Sequence, residues 1–231
     1  PAEMTAADID DVVDAFAAAA HQAGIAPVED FNRGNNAGVG YFEVNQRRGV
    51  RWNTTKGFLK PVRQRPNLTV WTQAQALGIT LRRGQDTAWH ATGVTVRRGA
   101  TDQAVQVNAR REVLLCAGAV ASPQLLQWSG IGNSERLASA GIMPQHELAG
   151  VGENLQDHLQ IRAVFGVQGV PTLNVLASSL WGKGRIGLEY LLRRSGPMSM
   201  APSQLGAFAK SSPEREWPNL QYHVQPLSLD A

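Results

Sequence analysis

A glycine set between a short unbroken apolar run and a serine–proline pair limits the folds open to this chain more than any other feature. Residues 110–132 read R-R-E-V-L-L-C-A-G-A-V-A-S-P-Q-L-L-Q-W-S-G-I-G. Val113 to Cys116 follow two arginines and a glutamate without polar interruption, the pattern of a central strand covered on both faces rather than one with a wet side. Gly118, flanked by Ala117 and Ala119, then lets backbone approach a neighbour or ligand where a larger side chain would intrude. Ser122-Pro123 reads as a helix start, with a hydroxyl to cap a free N–H and a proline that has no N–H to leave unpaired. Leu125, Leu126 and Ser129 share a helical stripe that Gly130 ends. The unit is a strand, a glycine turn and a short helix. Open α/β sheets hold nucleotides at such turns, because ligands sit beyond the carboxyl ends of the strands and anions favour helix N-termini. By physics alone, a well-packed core strand and its helix account for the pattern equally well.

The rest of the chain sets bounds around that unit. Its 231 residues, 43% hydrophobic and 18% charged, suffice for one large or two small domains with a core. The net charge of +3 is modest. Its arginines fall in scattered pairs, Arg47-Arg48, Arg82-Arg83, Arg97-Arg98, Arg110-Arg111 and Arg193-Arg194, which suits a solvated surface and argues against nucleic acid. Cys116, the single cysteine, excludes an internal disulfide and places the chain in a reducing, cytoplasmic setting. Within its apolar run it reads as a buried, inert thiol. No apolar stretch reaches the roughly twenty residues that span a bilayer.

Along the chain, Thr5 to Asp8 open a helix whose apolar residues recur from Ile9 to Ala20 until Gly24 stops it. Residues 30–57, rich in Gly, Asn and Arg, read as a long functional or bridging loop without a packed-core pattern. Leu68 to Trp71, Ala74 to Leu81 and Thr87 to Arg98 read as strands of a small antiparallel meander. Ser134 to Ala140 forms a short helix, followed by an I-M-P-Q-H-E-L strand. A helix lies within Leu173 to Arg194, and Leu205 to Lys210 and Leu220 to Val224 are strands of a second sheet. In the last of these, Tyr222 and His223 alternate, so one faces the core and the other a cavity or solvent. Asn154-Leu155-Gln156-Asp157-His158 gathers hydrogen-bonding and titratable groups that suit either a polar site or a self-satisfied turn. Neither a G-x-S-x-G elbow nor a G-x-x-x-x-G-K-S/T loop occurs, and the five histidines lack ligand spacing, so no metal site is expected.

The segment Gly118 to Gly132 resembles the second signature of the glucose-methanol-choline (GMC) family of flavin-dependent oxidoreductases, and G-V-G-E-N-L-Q-D-H-L, Gly150 to Leu159, resembles that family's next block. Similarity extends outward to R-P-N-L-T-V from Arg65, to G-P-M-S-M-A-P-S-Q-L-G-A-F from Gly196 and to W-P-N-L-Q-Y-H from Trp217, nearest the choline dehydrogenase-like branch. The resemblance implies part of an FAD/NAD(P)-binding Rossmann-like domain, α/β in class, joined to part of an α+β substrate domain on an antiparallel sheet. Residues 1–64 would form a cap, bridge and substrate-domain segment, 65–160 part of the FAD-binding domain and 161–231 part of the substrate-binding domain. It further implies an FAD cofactor in the full-length protein, contacted by Ala76, Cys116, Ala117, Gly118 and Asn154. A substrate pocket would be bordered by His158, Gln160, Trp181 and His223, with Trp181 equally readable as a packing aromatic. The reaction implied is oxidation of an alcohol by hydride transfer to the flavin.

Three departures matter. The family's opening G-x-G-x-x-G and its late catalytic histidine segment do not occur, so the chain reads as an internal piece, inactive and not retaining FAD alone. R-W-N-T-T-K-G-F-L from Arg51 departs from the family's small-residue consensus. Choline-oxidising relatives resemble D-H-x-E where this chain has Asp157-His158-Leu159-Gln160. A neutral amide cannot supply the full charge that holds a desolvated ammonium, so a neutral alcohol is expected. A lyase that binds FAD without reducing it, and a non-catalytic module keeping the fold, are the alternatives. The electron acceptor stays unspecified, as does peripheral membrane association of a longer protein.

Overall fold

In the computed structural model, which describes residues 7–99, 103–170 and 172–228, the chain divides into two compact units. One comprises residues 1–65 with 162–231, and the other residues 66–161.

The first unit is built on helix α1 (Ala7–Gln22) and a three-stranded antiparallel sheet of β1 (Gly38–Tyr41), β9 (Leu205–Ala209) and β10 (Leu220–Val224), with β9 in the middle. Register and alternation sort the side chains. Val39 lies opposite Ala207, Tyr41 and Val224 lie opposite Leu205, and Tyr222 opposite Ala207, all on one face. Against that face α1 packs Val13, Phe16, Ala17 and Ala20. Val13, Leu205 and Ala207 are fully buried. Tyr41 reinforces the contact by donating its hydroxyl hydrogen to Asp14. The other face carries Gly38, Gly40 and Gly206. Over Gly206 lies the Phe42 ring, whose atoms would come within 2.0 Å of any added Cβ. Phe31, Phe42 and Phe208 cluster there with centroids 5.0–5.4 Å apart.

The same unit holds the hairpin β2 (Gln46–Arg47) and β3 (Val50–Arg51), a π-helical turn Thr55–Leu59 leading into α2 (Lys60–Val62), the short α5 (Leu173–Leu176) and the longer α6 (Leu180–Arg193). Ser179 caps α6 by accepting from the Gly182 N–H at 3.0 Å.

The second unit holds an antiparallel meander of β4 (Ala74–Arg83), β5 (Trp89–Arg98) and β6 (Ala104–Asn108) in that order; its first two strands are those expected, and the third is β6 rather than residues 68–71. Helix α3 (Gly118–Trp128) follows, then β7 (Ile131–Gly132), α4 (Ser134–Ser139) and β8 (His146–Glu147), with β7 and β8 parallel.

Several expectations need correction. Val113 to Cys116 forms no strand and pairs with none among the described residues, and Leu114 is 76% exposed. Cys116 is exposed rather than buried. An apolar run becomes a dry strand only when neighbours supply both ladders and both covers, and none of the strands of this unit lies beside it. Residues 68–71 form no strand either, and the strand expected over Ile142 to Leu148 shrinks to His146–Glu147. The supposed loop 30–57 contributes β1, whose Val39 is buried in the core. With glycine on both sides of Val39, that strand carries no apolar alternation to betray it. The expected cap at Thr5 lies outside the described residues.

Candidate functional site

Helix α3 is the organiser of the second unit, and its first residue is Gly118. The helix begins four residues before the Ser122-Pro123 start expected from sequence, and Pro123 lies inside it. Ser122 still caps a free N–H, but from within the helix: its Oγ accepts from the Ala117 N–H at 3.1 Å. Gly118 has φ +86°, a conformation that strains any L side chain, and nothing lies within 4 Å of where its Cβ would be. It is therefore a glycine for its backbone angle, not for crowding, and its vicinity is open.

No side chain caps the N-terminus of α3 from the preceding residue, and no acidic residue stands in its first turn. The N–H groups of Gly118, Ala119 and Val120 have no partner within the helix by construction. Beside the exposed Cys116 they form a short stretch of main-chain donors at the positive end of a helix, a place that favours an anion.

Two side chains near the other end of α3 tie the remaining parts to it. Ser129 Oγ accepts from the Ile79 N–H at 2.7 Å, on the free edge of β4, and donates to the Leu125 carbonyl at 2.6 Å. Gln127 Nε2 donates to the Val151 carbonyl at 3.2 Å. The strand that carries half-buried Ala76 and the turn that leads into Asn154 are thus both fastened to the helix that Gly118 begins. Neither role was visible in sequence beyond Ser129's place on the apolar stripe, because each depends on a partner more than twenty residues away.

Asn154 is exposed with φ +57°, one of five non-glycine residues with left-handed φ among those described. His158 and Gln160 follow on an exposed, unpaired segment. The His158 N–H donates to Asp157 Oδ1 at 2.8 Å, and His158 Nδ1 lies 3.8 Å from the same oxygen. Leu159 between them is 98% exposed.

Trp181 and His223 belong to the first unit. Trp181, on the first turn of α6, is 86% exposed, and it packs no core. His223 shares the glycine-floored sheet face, its ring 5.2 Å from that of Phe42. Tyr222, on the opposite face, meets Phe16 at 6.5 Å. As their alternation predicts, Tyr222 takes the face that meets α1 and His223 the opposite one, and neither is buried because β10 is an edge strand.

Around α4 a separate polar knot forms. Asn133 accepts from the Arg136 N–H at 3.0 Å, and Glu147 accepts from both the N–H and the hydroxyl of Ser134. The Ser134 hydroxyl, then its N–H, hold the Glu147 carboxyl below the usual glutamate range against a smaller opposing effect of desolvation. Arg136 pairs with Glu153. Among the described residues no three His, Cys, Asp or Glu side chains gather as a metal site would require.

With this geometry in place, comparison with known proteins is informative. Residues 3–160 match the family profile described as GMC oxidoreductase. An oxygen-dependent choline dehydrogenase of Cronobacter sakazakii is 39% identical over 210 residues, covering 90% of this chain and 36% of that protein. An alcohol dehydrogenase [acceptor] of Pseudomonas putida is 37% identical over 223 residues, 96% of this chain and 39% of that protein. Among solved structures, an FAD-dependent oxidoreductase from Chaetomium thermophilum superposes with a TM-score of 0.71 at 25% identity, over 85% of this chain and 34% of that one. A fungal aryl-alcohol oxidase superposes with 0.70 at 27% identity, over 83% and 32%. The chain thus spans well under half the length of these relatives.

Proposed function

The chain belongs to the GMC oxidoreductase family, and on that premise we propose that it is an internal portion of an FAD-dependent oxidoreductase acting on the CH–OH group of a neutral primary alcohol. The observation that carries this reading is the N-terminus of α3: uncapped by its preceding residue, free of carboxylates in its first turn, and open to space at Gly118. Those features fit a dinucleotide. Main-chain donors and the helix dipole welcome negative charge, and no acidic side chain repels it. When bound, FAD supplies the hydride acceptor.

The roles left to this chain are positioning ones. Cys116, Ala117 and Gly118 offer backbone to the cofactor, Ala76 on β4 and Asn154 flank it, and Ser129 and Gln127 hold those two in register with α3. Within residues 66–161, His158 and Gln160 border the alcohol. The base that takes the hydroxyl proton is supplied by residues outside these 231, so the chain alone is inactive and does not retain FAD. Gln160 sets the charge of the substrate. It is exposed and forms no ion pair, and an amide there gives a quaternary ammonium no counter-charge to offset its desolvation.

The test uses the full-length gene product, purified with FAD and mixed with alcohols under anaerobic conditions. A neutral primary alcohol should bleach the flavin faster than choline, and Gln160→Glu should shift that preference toward choline by about tenfold, the worth of one partly screened charge pair. A flavin that stays oxidised with every alcohol would overturn the oxidoreductase reading in favour of a lyase, and a product that never binds FAD would leave a non-catalytic module. Faster bleaching by choline would remove the neutral-alcohol preference alone.

A further inference from the structure

Two of the arginine pairs that are far apart in sequence meet in the first unit. Arg47, Arg48 and Arg194, with Val50 and Trp52, line an open recess of about 420 Å³. We infer that this recess is a binding site for a phosphate-bearing anion.

The side chains suit that class of ligand. Three arginines line the recess, and none of them forms an ion pair with a carboxylate among the described residues. Two are steadied by aromatic rings: Arg47 Cζ lies 5.2 Å from the Trp52 ring centroid and Arg194 Cζ 4.9 Å from that of Tyr190. Lys56 adds a fourth cation 6.0 Å from the Trp52 ring, its Nζ donating to the Arg51 carbonyl at 2.8 Å. Planar forks held on ring faces lose little freedom when they engage the oxygens of a phosphate, which they can do in bidentate fashion.

The backbone beneath them is the second observation. Arg48 has φ +51° at the hairpin turn and Arg194 has φ +55° where α6 ends. Both positions ordinarily favour glycine or asparagine, since a Cβ is strained there. Arginine thus stands at two strained positions that open on one recess. The two are also locked together: an added Cβ on Gly49 would lie 2.0 Å from the Arg194 carbonyl oxygen, so hairpin and helix end are in direct backbone contact. Strain kept at two such places, both supplying the same chemistry, points to use of the side chains.

The full-length gene product, loaded with FAD, can be tested by calorimetric titration with inorganic pyrophosphate at low ionic strength. Wild type should bind. Arg48→Gly and Arg194→Gly should each weaken binding about tenfold, while leaving thermal stability equal or higher because glycine relieves the backbone. Arg82→Gln/Arg83→Gln, on β4, should change nothing. Undiminished binding in the Arg48→Gly/Arg194→Gly double variant, or an equal loss in the β4 variant, would overturn the site. Sedimentation with phosphatidylglycerol vesicles against phosphatidylcholine separates the ligand's sources. Binding to the former that pyrophosphate displaces assigns a lipid headgroup, pyrophosphate binding without vesicle binding assigns a soluble phosphate, and vesicle binding that pyrophosphate cannot displace would refute phosphate recognition.

Discussion

Gly118 and Gly206 are glycines for opposite reasons, and the difference can be measured. At Gly118 the constraint is φ +86° with empty space around it, whereas at Gly206 it is the Phe42 ring that leaves no room for a Cβ. Gly118→Ala should therefore cost only about 1–2 kcal/mol, the left-handed penalty of an L residue. Gly206→Ala should cost at least as much and displace Phe42, read by denaturant titration together with the aromatic signals of Phe31 and Phe208. If Gly118→Ala proved the costlier by several kcal/mol, the space at the start of α3 would not be open. Ser129 presents a third case. Its hydroxyl serves two backbone groups, so Ser129→Ala should destabilise by about 1 kcal/mol, the net worth of a side-chain hydrogen bond, and increase amide exchange at Ile79. Exchange at Ile79 indistinguishable from wild type would remove Ser129 as the tie between helix and strand.

At the scale of elements, the first unit depends on the contact of α1 with its sheet. Leu205, fully buried on the central strand, has no way to be replaced by water. Leu205→Ala should cost about 3 kcal/mol through lost transfer energy and the cavity left behind, seen as a lower denaturation midpoint. A change under about 1 kcal/mol would mean the site collapses, or that α1 does not pack there. In the second unit, α4 and β8 are joined through Glu147 and Ser134, and here pH is the lever. Because the folded carboxyl is held below its usual range, the contribution is fully present above the ordinary glutamate pKa. It is lost as the pH falls through the lower folded value. Amide protection in α4 should drop on acidification in wild type, and Glu147→Gln should flatten that dependence. An acid limb unchanged in Glu147→Gln would assign it to another group.

For the molecule as a whole, many large apolar side chains stand exposed among the described residues. Leu114, Leu159, Ile161 and Phe165 are largely exposed, and the last three follow one another along a single unpaired segment. Exposed apolar side chains of this kind favour association. The chain expressed alone should bind a hydrophobic dye and associate with rising concentration, and Ile161→Lys/Phe165→Lys should reduce both. Dye binding as low as that of an ordinary monomer would show the surface already covered.

Much of this was legible in the order of residues. The hairpin of β4 and β5, α1, α4 and β10 are announced by periodicity, turn residues and caps, which act within a few positions of one another and need no distant partner. The motifs around Gly118 and Asn154 point to the family because they are local strings. What escaped is what depends on a second segment. Val113 to Cys116 has the composition of a buried strand, yet an extended run becomes one only when other strands take its N–H and C=O groups. β1 hides among glycines because its contribution to the core is one valine opposite Ala207. Gln127 and Ser129 look like ordinary helical residues until the structure brings Val151 and Ile79 to them. The meeting of Arg47-Arg48 with Arg194 is likewise decided by a hairpin turn docking on a helix end. Sequence alone determined the local conformations and the family, because those follow from steric preference and short-range hydrogen bonding. Only the tertiary structure decided which groups stay buried, open or brought together, since burial and long-range pairing belong to the partner as much as to the residue.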